Sequence, residues 1–361
     1  MRRKYKSYIL GGLFRAKGPR QFLNFIRAYL SLKGLRIKHP PLLAILIPTR
    51  RCNLRCEMCD LWKCKRKEMS KDEIFRLIDD LEEIGVTTIS ISGGEPFVRE
   101  DILEIMSYIK DKGMLLDVST NGTLITPHLA RRLAEVGVDT VSISLDSDNP
   151  KVFDKLRGRR GAHERAVQGI KNLLEVTGDG PEVTVNILLC PQTVHRLAET
   201  VDFLYRLGVR NIGIIPVHNF SMKRSLRFSE YQKREIERAV DWLMKTKKER
   251  GIVDNTEKYL EAVKSFIMKG ERQRACGAGF LTLVVDSNGD LYPCYGMFEL
   301  GEKTGNIRDV DIRKFWYSKT YETMRLKLLG CRRCVWNCQE ELNIVFDSVL
   351  KRKYEDTAHK S

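Results

Sequence analysis

No aspartate or glutamate occurs before Glu57, although the chain as a whole carries 47 acidic residues. The first 56 residues hold 14 Lys and Arg, so of the net charge of +16 only about +2 is left for the rest. A uniformly basic nucleic-acid-binding surface is therefore not expected, and the charge belongs to an amino-terminal arm. No apolar run is long enough to span a bilayer, so any membrane contact would be peripheral. Internal repeats and low-complexity tracts are also missing, which excludes solenoid architectures. Nothing marks a small secreted disulfide scaffold, so the ten cysteines are expected to serve metal or redox chemistry in a reducing cytoplasm.

The arm, residues 1–40, has helical periodicity: Phe22, Leu23, Phe25, Ile26, Tyr29, Leu30 and Leu32 fall on one half of a helical wheel, with Asn24, Arg27 and Ser31 opposite. Three readings stay open. The helix packs on the body of the protein, or residues 1–38 lie on an anionic membrane surface at its inner face, or the arm is a transit peptide, against which its few serines argue.

From residue 41 short β-rich runs alternate with amphipathic helices, the pattern of a parallel sheet covered by helices. The expected strands are Leu42–Ile47, Thr87–Ser92, Leu115–Ser119, Thr140–Leu145, Val183–Leu189 and Asn211–Ile215. Ser70 and Glu73 form a capping box before a helix, and further helices are expected at Ile102–Lys112, after Thr126-Pro127 and at Ala162–Leu174. The fold class is thus α/β, a partial (β/α)6 barrel over residues 41–269, with functional groups on loops at the carboxyl ends of the strands. A smaller domain is expected over 270–345, starting with the hairpin Phe280–Tyr292 around Gly289, followed by a solvated tail over 346–361.

Cys52, Cys56 and Cys59 lie in the loop directly after the first strand. Three thiolates leave a four-iron cluster with one iron lacking a protein ligand, whereas a structural zinc site closes with a fourth Cys or His, for which Cys64 is the candidate. The second strand ends in Gly93-Gly94-Glu95-Pro96, where glycines let backbone approach a ligand and Glu95 offers a carboxylate to a cation. Further on come Ser119-Thr120-Asn121-Gly122, then Ser144-Leu145-Asp146 with Arg157-Gly158, and Asn186 on the fifth strand. The carboxy-terminal cysteines read Cys276-x12-Gly289-x4-Cys294, then Cys331-x2-Cys334-x3-Cys338.

Together these motifs resemble the radical S-adenosylmethionine (SAM) enzymes, and the last group resembles the SPASM/twitch domains that carry auxiliary clusters in that family. The resemblance spans roughly residues 42–340. It implies a SAM-binding [4Fe-4S] cluster on Cys52, Cys56 and Cys59, and SAM held by the Gly93–Pro96 loop, Asn121, Ser144, Arg157 and Asn186. It also implies one auxiliary [4Fe-4S] cluster on Cys276, Cys294, Cys331 and Cys334, with Cys338 able to replace one of them. A zinc ribbon is the rival for this second site. Cys64 and Cys190 are read as a bystander and a small buried hydrophobe. The implied activity is reductive cleavage of SAM to a 5′-deoxyadenosyl radical that takes a substrate hydrogen, driven by a one-electron reductant such as ferredoxin or flavodoxin. An amphiphilic or lipid-linked substrate is the first expectation, with peptide maturation and cofactor biosynthesis as alternatives. The non-enzymatic rival is a zinc-stabilised protein using its arm on nucleic acid, against which the glycine loop and the open three-cysteine site argue.

Overall fold

The computed structural model describes residues 19–358 except 65, 177–179 and 219–227, so the first part of the basic arm and the last three residues lie outside it. Its framework is one nine-stranded sheet. Strands β1 (Leu43–Leu46), β2 (Thr88–Ile91), β3 (Leu115–Thr120), β4 (Thr140–Ser144), β5 (Glu182–Leu189) and β6 (Ile212–Pro216) pair in parallel and in sequence order. All six were expected. The sheet stays open, with the segment 252–254 bonded outside β6.

The helices form for local reasons. In α1 (Pro19–Leu32) proline starts the helix. In α2 (Lys71–Ile84) the Ser70–Glu73 capping box is present, Ile74, Leu77, Ile78 and Leu81 are buried, and Gly85 ends the helix at φ 103°. Next come α3 (Ile102–Asp111) and α4 (Pro127–Val136), the latter capped by Thr126. After β4 the chain forms α5 (Pro150–Arg157), which hydrophobic periodicity did not reveal because it is short. Its signals are the Asn149 cap, Pro150 at the first helical position and Gly158 at φ 65°. Helices α6 (Ala162–Leu174), α7 (Leu197–Leu207), α8 (Glu230–Arg250) and α9 (Glu257–Lys269) complete the series.

Burial alternates along β2 and β3. Ile89, Ile91, Leu116 and Val118 face the helices and are fully buried, while Ser90, Ser92, Asp117 and Ser119 point to the other, accessible face. Across β2 to β4 this inner face is polar: Ser90 Oγ donates to Asp117 Oδ2 at 2.7 Å, and Ser142 Oγ approaches Asp117 Oδ1 at 3.4 Å.

The carboxy-terminal segment shares this sheet. Strand β7 (Thr282–Val285) pairs in parallel with β1, and β8 (Asp290–Tyr292) and β9 (Gly305–Asn306) follow antiparallel. The reason is that β1, buried along its whole length, would otherwise be an unpaired edge. Helices α10 (Tyr295–Leu300), α11 (Ile312–Trp316), α12 (Lys319–Leu328), α13 (Asn337–Val345) and α14 (Asp347–Ala358) surround this extension. The tail expected to be solvated from residue 346 is not fully so. Phe346 and Leu350 are buried, with the Phe25 ring of α1 4.9 Å from that of Phe346.

Candidate functional site

The loop after β1 carries Cys52, Cys56 and Cys59, all partly accessible, and the ends of the next strands converge on it. From the β2 end, Gly94 N donates to Thr49 O and Glu95 N to Arg51 O, at 3.0 and 2.8 Å. A Cβ on Gly94 would lie 2.1 Å from Arg51 O, so only glycine permits this approach. From the β3 end, Asn121 Nδ2 donates to Asn53 Oδ1 at 2.8 Å and lies 3.9 Å from Cys52 Sγ. From the α5 end, the Arg157 and Leu156 carbonyls accept from Arg55 N and Glu57 N. Gly158 sits so close that a Cβ would be 2.2 Å from Arg55 O. The motifs scattered along the sequence therefore become one shell around one loop.

Two of the side chains expected to contact a ligand already have protein partners. The Glu95 carboxylate does not face open space. It is wholly buried and accepts from Thr120 Oγ1 at 2.7 Å and Asn121 N at 2.8 Å, and burial pushes its carboxyl up to about 7. It ties the β2 loop to the β3 end, leaving the backbone of Gly93 and Gly94 as the part of that loop that a ligand can approach. Arg157 is likewise engaged: Nε and Nη2 bind Asp146 at 2.7 and 2.8 Å, and Nη1 lies 3.9 Å from Cys56 Sγ. Asp146, which orients this arginine, was not singled out from sequence, although it ends the Ser144-Leu145-Asp146 run. Ser144 and Asn186 are register partners on β4 and β5, and Gly213 leaves room for the Asn186 side chain. Pro96 opens a single helical turn behind the loop.

At the second site Cys276, Cys294, Cys331 and Cys334 line one pocket with Met297 and Trp336. Cys294 also caps α10, its Sγ accepting from Met297 N. Burial, reinforced by the neighbouring thiols, pushes Cys334 up to about 12. Arg272, which sequence reading did not find, is 2% exposed and hydrogen-bonds the Cys331 carbonyl. Burial works against its charge, but Cys276 and Glu340 beside it hold the guanidinium protonated. That cation suits a site that gathers thiolates. Cys338 is not in this pocket. Like Cys59 and Tyr295, it packs against the apolar cluster that includes Ile45, Ile47, Val284 and Tyr292. Cys190 is wholly buried and Cys64 is exposed.

Among the described residues no three His, Cys, Asp or Glu side chains converge as a single metal ion would require. Zinc needs four donors at about 2.3 Å from one centre. Thiols spread around a pocket suit a cluster, whose irons are separate points of attachment. Burial also raises Cys52, and raises Cys59 to about 12, so binding at the loop must displace protons.

Comparison with known proteins agrees. The radical SAM superfamily profile matches residues 46–204, and that of the SPASM iron-sulfur cluster-binding domain matches 276–339. Mycofactocin maturase MftC of Mycolicibacterium smegmatis is 30% identical over 287 residues, covering 77% of this chain and 70% of MftC. The chain belongs to the radical SAM superfamily. It is a radical SAM enzyme with a carboxy-terminal SPASM domain, and with that membership come a [4Fe-4S] cluster, auxiliary cluster binding and SAM. The AdoMet-dependent heme synthase of Methanosarcina barkeri is 27% identical over 289 residues, covering 74% of this chain and 80% of the synthase. Streptococcus suis SuiB, solved with its precursor peptide SuiA, shares the fold at TM-score 0.65 and 19% identity, over 85% of this chain and 72% of SuiB. None of these relatives supports the lipid-linked substrate expected from the basic arm.

Proposed function

We propose that Cys52, Cys56 and Cys59 hold the SAM-binding cluster and that Cys276, Cys294, Cys331 and Cys334 hold a single auxiliary cluster. The substrate would sit against the polar inner face of the sheet between them. When bound, the first cluster and SAM supply a hydrogen-abstracting 5′-deoxyadenosyl radical. The chain's own contribution is placement. Gly93 and Gly94 bring backbone to the SAM methionine end, Asn121 and Arg157 lie beside cluster thiols, and Ser144 and Asn186 face the space next to them. Cys338 is then a thiol of the substrate space rather than a ligand. The observation that carries this reading is the convergence of the β2, β3 and α5 ends on the three-cysteine loop, directly beside the partly accessible polar residues Ser90, Asp117 and Ser119. Such a lining suits a polar reacting group, in a peptide or a cofactor precursor, better than an acyl chain. The electron donor would be a ferredoxin or flavodoxin, in a reducing compartment where thiols stay available to clusters.

Anoxic reconstitution followed by SAM and dithionite tests the reading. About eight irons per chain and formation of 5′-deoxyadenosine are expected. A protein that loads iron at neither site, or that loads both and leaves SAM intact, would overturn it.

A further inference from the structure

We propose that the outward face of α1 is a docking surface for an anionic lipid bilayer. This inference is independent of the substrate and of the cluster assignment. It starts from a helix that is apolar on two sides. The side of α1 that faces the body carries Gln21, Asn24, Ala28 and Leu32, at 8, 5, 0 and 3% exposure, with Phe25 and Tyr29 packed beside them on Phe346. Asn24 Nδ2 donates to Gly85 O at 2.7 Å, so a polar side chain is used for packing. On the opposite side of the same helix Phe22, Leu23, Ile26 and Leu30 form a stripe about 12 Å long. Phe22 is 53% and Leu23 46% exposed, and Leu35 just past the helix is 49% exposed. Water alone does not favour a second, exposed apolar face on a helix that turns two amides inward.

The charges around the stripe select its partner. Arg20, Arg27, Lys33, Arg36 and Lys38 are all exposed, and this part of the chain supplies no carboxylate to neutralise them. Helix α14, packed beside α1, adds exposed Lys351 and Arg352 against one exposed carboxylate among its described residues, Glu355. A second copy of the chain would bring the same cations and repel. A nucleic acid would satisfy the cations and leave the apolar stripe wet. An anionic lipid surface satisfies both, with the stripe at the acyl boundary and the cations at the headgroups.

The test uses the full chain with its clusters loaded and vesicles of phosphatidylcholine with about one quarter phosphatidylglycerol, against pure phosphatidylcholine. The wild type is expected to float with the anionic vesicles and to be released by about 0.5 M salt. F22S/L23S should lower the partition coefficient about tenfold or more. R20E/R27E should lower it about fivefold or more per residue. Iron content and SAM cleavage should stay unchanged in both variants, because neither pair faces the body. Three results would overturn the proposal. One is a wild type that ignores anionic vesicles at low salt, and another is an F22S/L23S protein that binds them as well as the wild type. The third is a wild-type dimer that F22S/L23S converts to monomer without any vesicle binding, which would make the stripe a contact between copies.

Discussion

Cys52, Cys56 and Cys59 sit on an irregular, partly accessible loop held by backbone hydrogen bonds from neighbouring strand and helix ends. Cys276, Cys294 and Cys334 are buried among apolar side chains, with only Cys331 of their group partly accessible. The first arrangement leaves space beside the thiols, as a site that exchanges a ligand must. The second is largely shut off from solvent, the arrangement suited to a site whose every position is taken by a protein donor. Precision comes from different sources. At the loop, two glycines allow backbone to approach backbone where any Cβ would collide. At the pocket, side-chain packing, the Cys294 cap and the Arg272 cation do the placing.

Ligand removal tests this contrast most strongly. Changing Cys52, Cys56 and Cys59 together to Ala should lower iron from about eight to about four per chain and abolish 5′-deoxyadenosine formation, with the fold retained. Cys334→Ser should disturb the auxiliary site and lower thermal stability, while Cys338→Ser should leave iron at both sites intact. Iron analysis and electron paramagnetic resonance of the reduced proteins would check this. Loss of a whole cluster from Cys338→Ser would show that the pocket is not closed by the other four.

A smaller effect is expected at Asp146. Its carboxylate is 1% exposed and pairs with Arg157 in a two-pronged contact. Asp146→Ala leaves a buried guanidinium unpaired and should destabilise the protein by about 3–5 kcal/mol, measured by denaturant unfolding. It should also impair cluster loading at the loop, because Arg157 O holds Arg55 N. The auxiliary site should load normally, and equal impairment of both sites would mean that they are not separately organised.

The smallest effect is a matched pair of buried acids, one in each region. Glu95 ties the β2 loop to the β3 end, and Glu341 accepts from Thr256 N and Oγ1 between α13 and α9. Burial pushes both carboxyls from 4.5 up to about 7. A raised carboxyl contributes stability that is full below about pH 4.5 and is lost as pH rises through about 7. Glu95→Gln and Glu341→Gln should each flatten the fall in stability over that window, by up to about 3 kcal/mol. If pH-dependent unfolding of the cluster-free protein keeps its slope in both variants, neither acid is protonated in the folded state.

Much of this was legible in the chain itself. The six parallel strands, the Ser70–Glu73 capping box and the three-cysteine loop all follow from local pattern, because periodicity, caps and ligand spacing are properties of neighbouring residues. Helix α5 escaped notice because its length hides its period, although Asn149, Pro150 and Gly158 mark its ends. The apolar residues of α1 were equally visible, but the side on which the body would bind was not, since Asn24 meets Gly85, 61 residues away.

Sequence by itself determined the chemistry: which side chains are thiols, how they are spaced, and where glycine must stand. Tertiary structure alone decided which groups remain available. It turned the Glu95 carboxylate inward onto Asn121, engaged Arg157 with Asp146, and separated Cys338 from the pocket of the other four. It also joined β7 to β1, making one sheet of what composition divides near residue 270. The physical reason is that a donor or acceptor can be satisfied by any partner brought within about 3 Å, and distance along the chain does not say which partner that will be.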